Sequence, residues 1–144
     1  MTAITAVAAP EITTARPGKI RNRVLWTLQI VLGLFFIIAS GGPKLVIPQT
    51  LMENNNAASS IPLALLIFIG LAEVSGGIGL MVPRLAAAAA TGLAILTFLA
   101  AGFNAFVTHT PEMAPFPLAL TAIFAWIAYE RRASFTTLRT LIKR

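Results

Sequence analysis

Residues 61–82, IPLALLIFIGLAEVSGGIGLMV, decide the fold, because Glu73 is the only ionisable side chain among them. An apolar run of 18 or more residues reads as a membrane-spanning helix, and at ~1.5 Å per residue this one is about 33 Å long. That matches a hydrocarbon layer of about 30 Å. Pro62 opens the run and Pro83 closes it, with Arg84 directly after.

Three further blocks have the same character. Residues 24–42 and 85–107 are long enough to span alone, whereas 113–129 is shorter and opens with Pro115 and Pro117. Across the 144 residues 57% are hydrophobic and 11% charged, against about 25% charged in an ordinary soluble domain. The expectation is an all-α integral membrane protein, a four-helix bundle spanning residues 24–129. The connection at Pro83-Arg84 is short enough to make the second and third helices antiparallel neighbours.

The charges orient the bundle. Arg16, Lys19, Arg21 and Arg23 precede the first block, Arg84 separates the second from the third, and Arg131, Arg132, Arg139, Lys143 and Arg144 follow the fourth. With both termini cytoplasmic, ten of the eleven basic residues lie inside and Lys44 alone lies outside, as the positive-inside bias requires. Trp26, Trp126 and Tyr129 then form an aromatic belt at that face. Residues 1–23 read as a disordered basic cytoplasmic tail. The following block is too long for the core of a cleaved signal, so a retained anchor is expected. Residues 130–144 place Phe135, Leu138, Leu141 and Ile142 at helical spacing among basic side chains, which suits a short helix lying on the inner leaflet.

The net charge of +6 is accounted for by these flanks. No basic–aromatic segment supports a nucleic-acid partner, so the expected partner is the lipid bilayer. The absence of cysteine removes thiolate-held clusters and dithiol chemistry.

Counting upward from Arg23, Arg84 and Arg131 at ~1.5 Å per residue places Glu73, Thr97 and Thr121 about 16, 20 and 15 Å above the inner plane. Lys44, Asn104 and His109 come out at about 31, 30 and 37 Å, near the outer surface. On this count a Glu73–Lys44 pair would have to cross about 15 Å. Tilt or a break at Gly41-Gly42-Pro43 would shorten the gap and keeps that pairing as the lesser reading, with the hydroxyls of Thr97 and Thr121 the better-placed neighbours. A carboxylate at mid-membrane is expensive, so without a cation Glu73 should often be protonated. Gly70 and Gly77 share its helical face, with Gly76 and Gly79 alongside, and small residues at such spacing let helices approach closely. Glu73 therefore reads either as a proton-carrying or ligand-binding group, for instance toward a quinone headgroup, or as a pin between helices. Lys44 at the outer mouth attracts an anion or a carbonyl, or snorkels to the interface. Gln29 should bond a neighbouring helix. His109 is the only histidine, so neither a bis-histidine haem nor a metal motif can be assembled, and an interfacial loop histidine is its plainer reading. No metal site and no complete catalytic set is expected.

The segments FFIIASGGPKL (35–45), IFIGLAEVSGGIGLMVPRLA (67–86) and AFVTH (105–109), in that order and spacing, resemble the DoxX-like family of small bacterial membrane proteins. Lys44, Glu73, Gly76, Gly77, Gly79 and His109 are the positions that carry the likeness. The resemblance implies a four-helix protein of the bacterial inner membrane. Named members are membrane subunits associated with quinone-linked oxidation of sulfur compounds or with redox-defence complexes. Lacking cysteine and metal ligands, this chain would bind quinone or a soluble or membrane oxidoreductase partner and leave electron transfer to that partner. Two other classes stay open: a non-catalytic scaffold or assembly factor, homo-oligomeric or not, and a small proton-coupled transporter. Small multidrug transporters, however, carry their buried glutamate in the first helix and not the second.

Overall fold

The computed structural model describes residues 18–133 and 139–140. The first span, Lys19–Val46, is continuous but not uniform: α1 (Lys19–Leu34) passes into a π-helical segment, Phe35–Gly41, and then into α2 (Gly42–Val46). Two short helices, α3 (Pro48–Asn54) and α4 (Asn56–Ser59), connect it to the second span, α5 (Leu63–Met81). The third span is α6 (Ala86–Phe106), and the fourth, Pro111–Glu130, is a 3-10 turn (Pro111–Met113) followed by α7 (Pro115–Glu130). All four are long and apolar enough to cross a membrane, and no strand occurs among the described residues.

Local chemistry sets most of the ends. Pro62 precedes α5, and its carbonyl accepts from the N–H groups of Leu65 and Leu66. Val82, held extended at φ −95°, ψ 115°, stops α5 because the ring of Pro83 disfavours a helical residue before it. The turn through Leu85 is tight enough that α5 and α6 are antiparallel neighbours, as the sequence implied. Pro115 and Pro117 lie in the first turns of α7, where a missing N–H costs little. The first helix differs from the expected 24–42. It starts at Lys19, so Lys19–Arg23 are helical and not part of a disordered tail, and it continues through Pro43 to Val46. Hydropathy marks where the chain stops being apolar, while the helix runs on past it, through Lys19–Arg23 at one end and, with Pro43 in the first turn of α2, through Val46 at the other. The rest of the N-terminal tail, and most of the proposed surface helix over 130–144, lie outside the described residues.

The spans pack around a core drawn from all four, including Leu32, Phe36, Leu80, Leu93, Phe124 and Ile127. Phe36 and Phe124 meet edge to face at 5.3 Å between centroids. On the outside, Ile38, Phe68, Leu71, Phe98 and Leu99 are each more than half exposed. A helix that is apolar all round needs an apolar surrounding, and that surrounding is lipid: the chain is a multi-pass membrane protein.

Two contacts fix the first and second spans at van der Waals distance. A Cβ added to Gly33 would lie 2.7 Å from the carbonyl oxygen of Gly77, and one added to Gly77 would lie 2.7 Å from that of Gly33. Two turns along, a Cβ on Gly41 would meet the Gly70 carbonyl at 2.7 Å. Backbone thus lies against backbone, which only glycine permits. At the end bearing Arg84, Gln29 is 1% exposed and bonds two helices. Its Nε2 donates to the Leu80 carbonyl at 3.1 Å, and its Oε1 accepts from Arg131 Nε and Nη2 at 3.2 and 3.0 Å. The Arg131 guanidinium also lies 5.6 Å from the centre of the Trp26 ring. Burial holds its pKa below the ordinary arginine value, opposed by the adjacent Glu130 carboxylate.

Candidate functional site

Glu73 sits midway along α5 on the face that meets the first span, and is 7% exposed. Its partner is Lys44: Lys44 Nζ donates to Glu73 Oε2 at 2.5 Å. The same ammonium donates to the backbone carbonyl and to the hydroxyl of Ser40, both at 3.2 Å. This corrects the depth argument, which held the two residues about 15 Å apart.

The reason is visible along the seam. Gln29 and Leu80 bond each other although residue counting separates them by about 3 Å in height. By Lys44 and Gly70 the count is wrong by about 10 Å, since a Cβ on Gly70 would lie 2.8 Å from Lys44 Cβ. Gly33 and Gly77 already touch across a counted gap of about 4.5 Å, and Gly41 and Gly70 across about 6 Å. The π-helical bonding of Phe35–Gly41, seen in the Gly42 N–H reaching the Ile37 carbonyl, supplies only part of the error. The rest is an offset between the spans present from their inner ends and a further step over Gly42–Lys44. Lys44 therefore emerges one turn above Glu73, a gap of about 4.5 Å that its side chain bridges. The Glu73 carboxylate thus has a cation beside it, contrary to the expectation from sequence.

The two threonines, expected beside Glu73, are instead paired with each other. Thr97 and Thr121 hydroxyls lie 2.9 Å apart and tie α6 to α7: with one proton each, one donates to the other, and the second donates to a carbonyl of its own helix, at Leu93 or Pro117. No hydrogen bond links either to Glu73 among the described residues. A pair of this kind in a membrane is worth about 0.6 kcal/mol, so it reads as a stitch between helices. The glycines divide between two seams. Gly70 and Gly77 face the first span, whereas a Cβ on Gly76 or Gly79 would lie 2.8 Å from Leu93 or Ala89 of α6. His109 stands on the exposed loop after α6 at φ 53°, a left-handed conformation uncommon outside glycine. The hydroxyls of Thr108 and Thr110 on either side of it bond each other at 2.7 Å. It is not among the residues that surround Lys44 and Glu73.

What surrounds them is a cavity of about 460 Å³ between α5 and α6, beneath the connection that contains α4. Lys44 and Glu73 form part of its wall. Phe68 and Phe103 supply aromatic walls, Leu96 and Leu99 aliphatic ones, and Asn55 and Asn104 add polar groups. Phe68 and Leu99 are more than half exposed, so the cavity opens on the lipid-facing side of the bundle. Its size is that of a small-molecule site, mostly apolar with a few placed polar groups. A second hollow of about 360 Å³ between the same helices is lined by small and aliphatic residues such as Ala72, Gly79 and Gly92, with no ionisable group. Among the described residues no three histidine, aspartate or glutamate side chains gather to hold a metal.

Asn55, Phe68 and Phe103 escaped the sequence reading. Asn55 left one trace in the run Asn54-Asn55-Asn56: its Oδ1 accepts from the N–H groups of Ala57 and Ala58 and caps α4, a role asparagine favours. The aromatic walls left none, because apolar residues facing a cavity and apolar residues facing lipid look alike in sequence.

Residues 27–127 match the model of the DoxX-like family. Among curated proteins and among solved structures, none matches the chain.

Proposed function

The chain belongs to the DoxX-like family, and from that premise we propose that it is a bacterial inner-membrane accessory of a quinone-linked redox system. In this reading it holds a quinone-like ring in the Lys44–Glu73 cavity for an oxidoreductase partner, soluble or membrane-bound, that performs the electron transfer. The observation that carries the proposal is an ion pair set in the wall of a mostly apolar, lipid-facing cavity with aromatic sides. Lateral entry from lipid suits a ligand that partitions into the bilayer. The orientation with both termini in the cytoplasm goes with it: Lys19, Arg21, Arg23, Arg84, Arg131 and Arg132 flank one end of the spans. Lys44, the one exception to the charge bias, is engaged by Glu73.

The scaffold reading draws on the glycine seams, which build a rigid bundle with or without a ligand. Thermal unfolding of the protein in nanodiscs separates the two. A fully ring-substituted decyl quinone at about 100 times its Kd should stabilise the wild type by about 2.7 kcal/mol, seen as an upward shift in Tm. Ala100→Phe, which fills the cavity and leaves the ion pair in place, should remove the shift. If neither the quinone nor its quinol moves the wild-type Tm, the scaffold reading takes over.

A further inference from the structure

The hydrogen-bonding capacity of the ion pair is divided unequally between its partners. A lysine ammonium carries three donors and no acceptor. Those of Lys44 face three acceptors of the protein itself: Glu73 Oε2, the Ser40 carbonyl and Ser40 Oγ. A carboxylate is acceptor-only, with two oxygens. Glu73 Oε2 is taken by Lys44, but no donor among the described residues reaches Oε1. No unpartnered side-chain oxygen or nitrogen is fully buried in the described residues. Oε1 of this 93%-buried glutamate, 7% exposed, therefore keeps accessible surface, and the cavity is the space that Glu73 lines.

The vacant polar position beside the ion pair is thus an acceptor. Of the two wall asparagines, Asn55 commits its Oδ1 to capping α4, and Asn104 donates through Nδ2 to the Met113 carbonyl at 3.4 Å. The pair is also neutral in sum, which gives a charged ligand no net attraction in an apolar surrounding. A ligand that presents a carbonyl oxygen to Glu73 sets acceptor against acceptor, unless Lys44 first abandons Ser40. A ligand that presents a hydroxyl completes the set with a bond to a charged acceptor, the stronger class of hydrogen bond.

We propose that the cavity selects the hydroxyl-bearing, reduced form of an apolar ring, a quinol or similar phenol, over the corresponding quinone, with its hydroxyl donated to Glu73 Oε1. This rests on the reading that the cavity holds a quinone-like ring, and it adds which redox form is held.

The test is a binding series on the full-length wild type in nanodiscs under anaerobic conditions. It uses one fully ring-substituted decyl quinol, its quinone and the dimethyl ether of the quinol. The quinol should bind about tenfold more tightly than the other two, the discrimination expected when one bond to a charged group is gained or lost. The ether keeps the size and apolarity of the quinol and lacks only its donors. Glu73→Gln, whose amide both donates and accepts, should reduce the preference to near parity. The wild-type series decides the matter even where that variant fails to fold. A quinone that binds as tightly as the quinol, or more so, overturns the proposal and leaves the cavity a quinone site. An ether that matches the quinol also overturns it, because apolarity alone then explains binding. Failure of all three to bind overturns both this inference and the reading beneath it.

Discussion

Lys44→Met alone should destabilise the protein by about 3 kcal/mol, and Lys44→Met combined with Glu73→Met should recover most of that loss. Removing one member of a buried ion pair typically costs 3–5 kcal/mol because the other charge stays behind without compensation. Here about 3 is expected, since the Lys44 side chain keeps 22% of its exposure and Glu73 10%. Replacing both by apolar side chains of similar volume leaves no stranded charge and is often close to neutral. Ser40 adds little to the balance, as its hydroxyl and carbonyl lie where the span can satisfy them locally. Reversible unfolding in mixed micelles gives the four corners of the cycle. A double variant far less destabilised than the sum of the two single variants is the expected result, and additive single and double variants would show that the two side chains do not act as a unit.

Gly77→Val and Gly92→Ala should move stability in opposite directions. A Cβ at Gly77 meets the backbone oxygen of Gly33 at 2.7 Å and Ile37 at 3.0 Å. Neither the carbonyl nor its helix can step aside without opening the seam that also aligns Lys44 with Glu73. Overpacking of this kind costs about 1–3 kcal/mol, and the backbone contact puts Gly77→Val at the upper end. Gly92 is also within a spanning helix, but a Cβ there meets nothing within 4 Å. Alanine at Gly92 should therefore gain up to about 1 kcal/mol from helix propensity. The same unfolding assay reads both, and a loss at Gly92 equal to that at Gly77 would mean that propensity and not the seam governs these glycines.

The contrast between those two glycines shows what sequence could and could not convey. Four spans, the tight turn at Pro83 and the burial of Glu73 were legible, because long apolar runs, prolines and a lone carboxylate leave strong local signals. Gly70 and Gly77 were recognisable as a packing face by their spacing. Which helix they face was not, because spacing says nothing about the partner. Lys44 was misplaced in depth because counting at one rise per residue presumes straight α-helices that start level with one another. The first two spans are already offset by about 4.5 Å on that count where Gly33 meets Gly77, and the π-helical stretch Phe35–Gly41 adds to the offset. No residue in FFIIASG announces that change, although the following Gly42-Pro43 marks the place where the regular ladder must yield. Thr97 and Thr121 were placed at similar depth and do meet. Depth alone could not tell that they meet each other and not Glu73. The cavity itself has no local signature, since it is a volume left between α5, α6 and the turn capped by Asn55.

That volume is the proposed ligand site, walled by Lys44 and Glu73, and the cysteine-free chain permits a direct measurement. Asn104→Cys places one thiol on the cavity wall, while Gln49→Cys and Arg84→Cys mark the two ends of the bundle in separate proteins. Labelling by a maleimide is followed in sealed right-side-out vesicles, with and without the fully ring-substituted decyl quinol, which cannot itself alkylate a thiol. The quinol should slow labelling of Asn104→Cys severalfold and leave both markers unchanged. Gln49→Cys should react from outside, and Arg84→Cys only after the vesicles are opened. Equal labelling of Asn104→Cys with and without saturating quinol would contradict the assignment of the cavity as a ligand site.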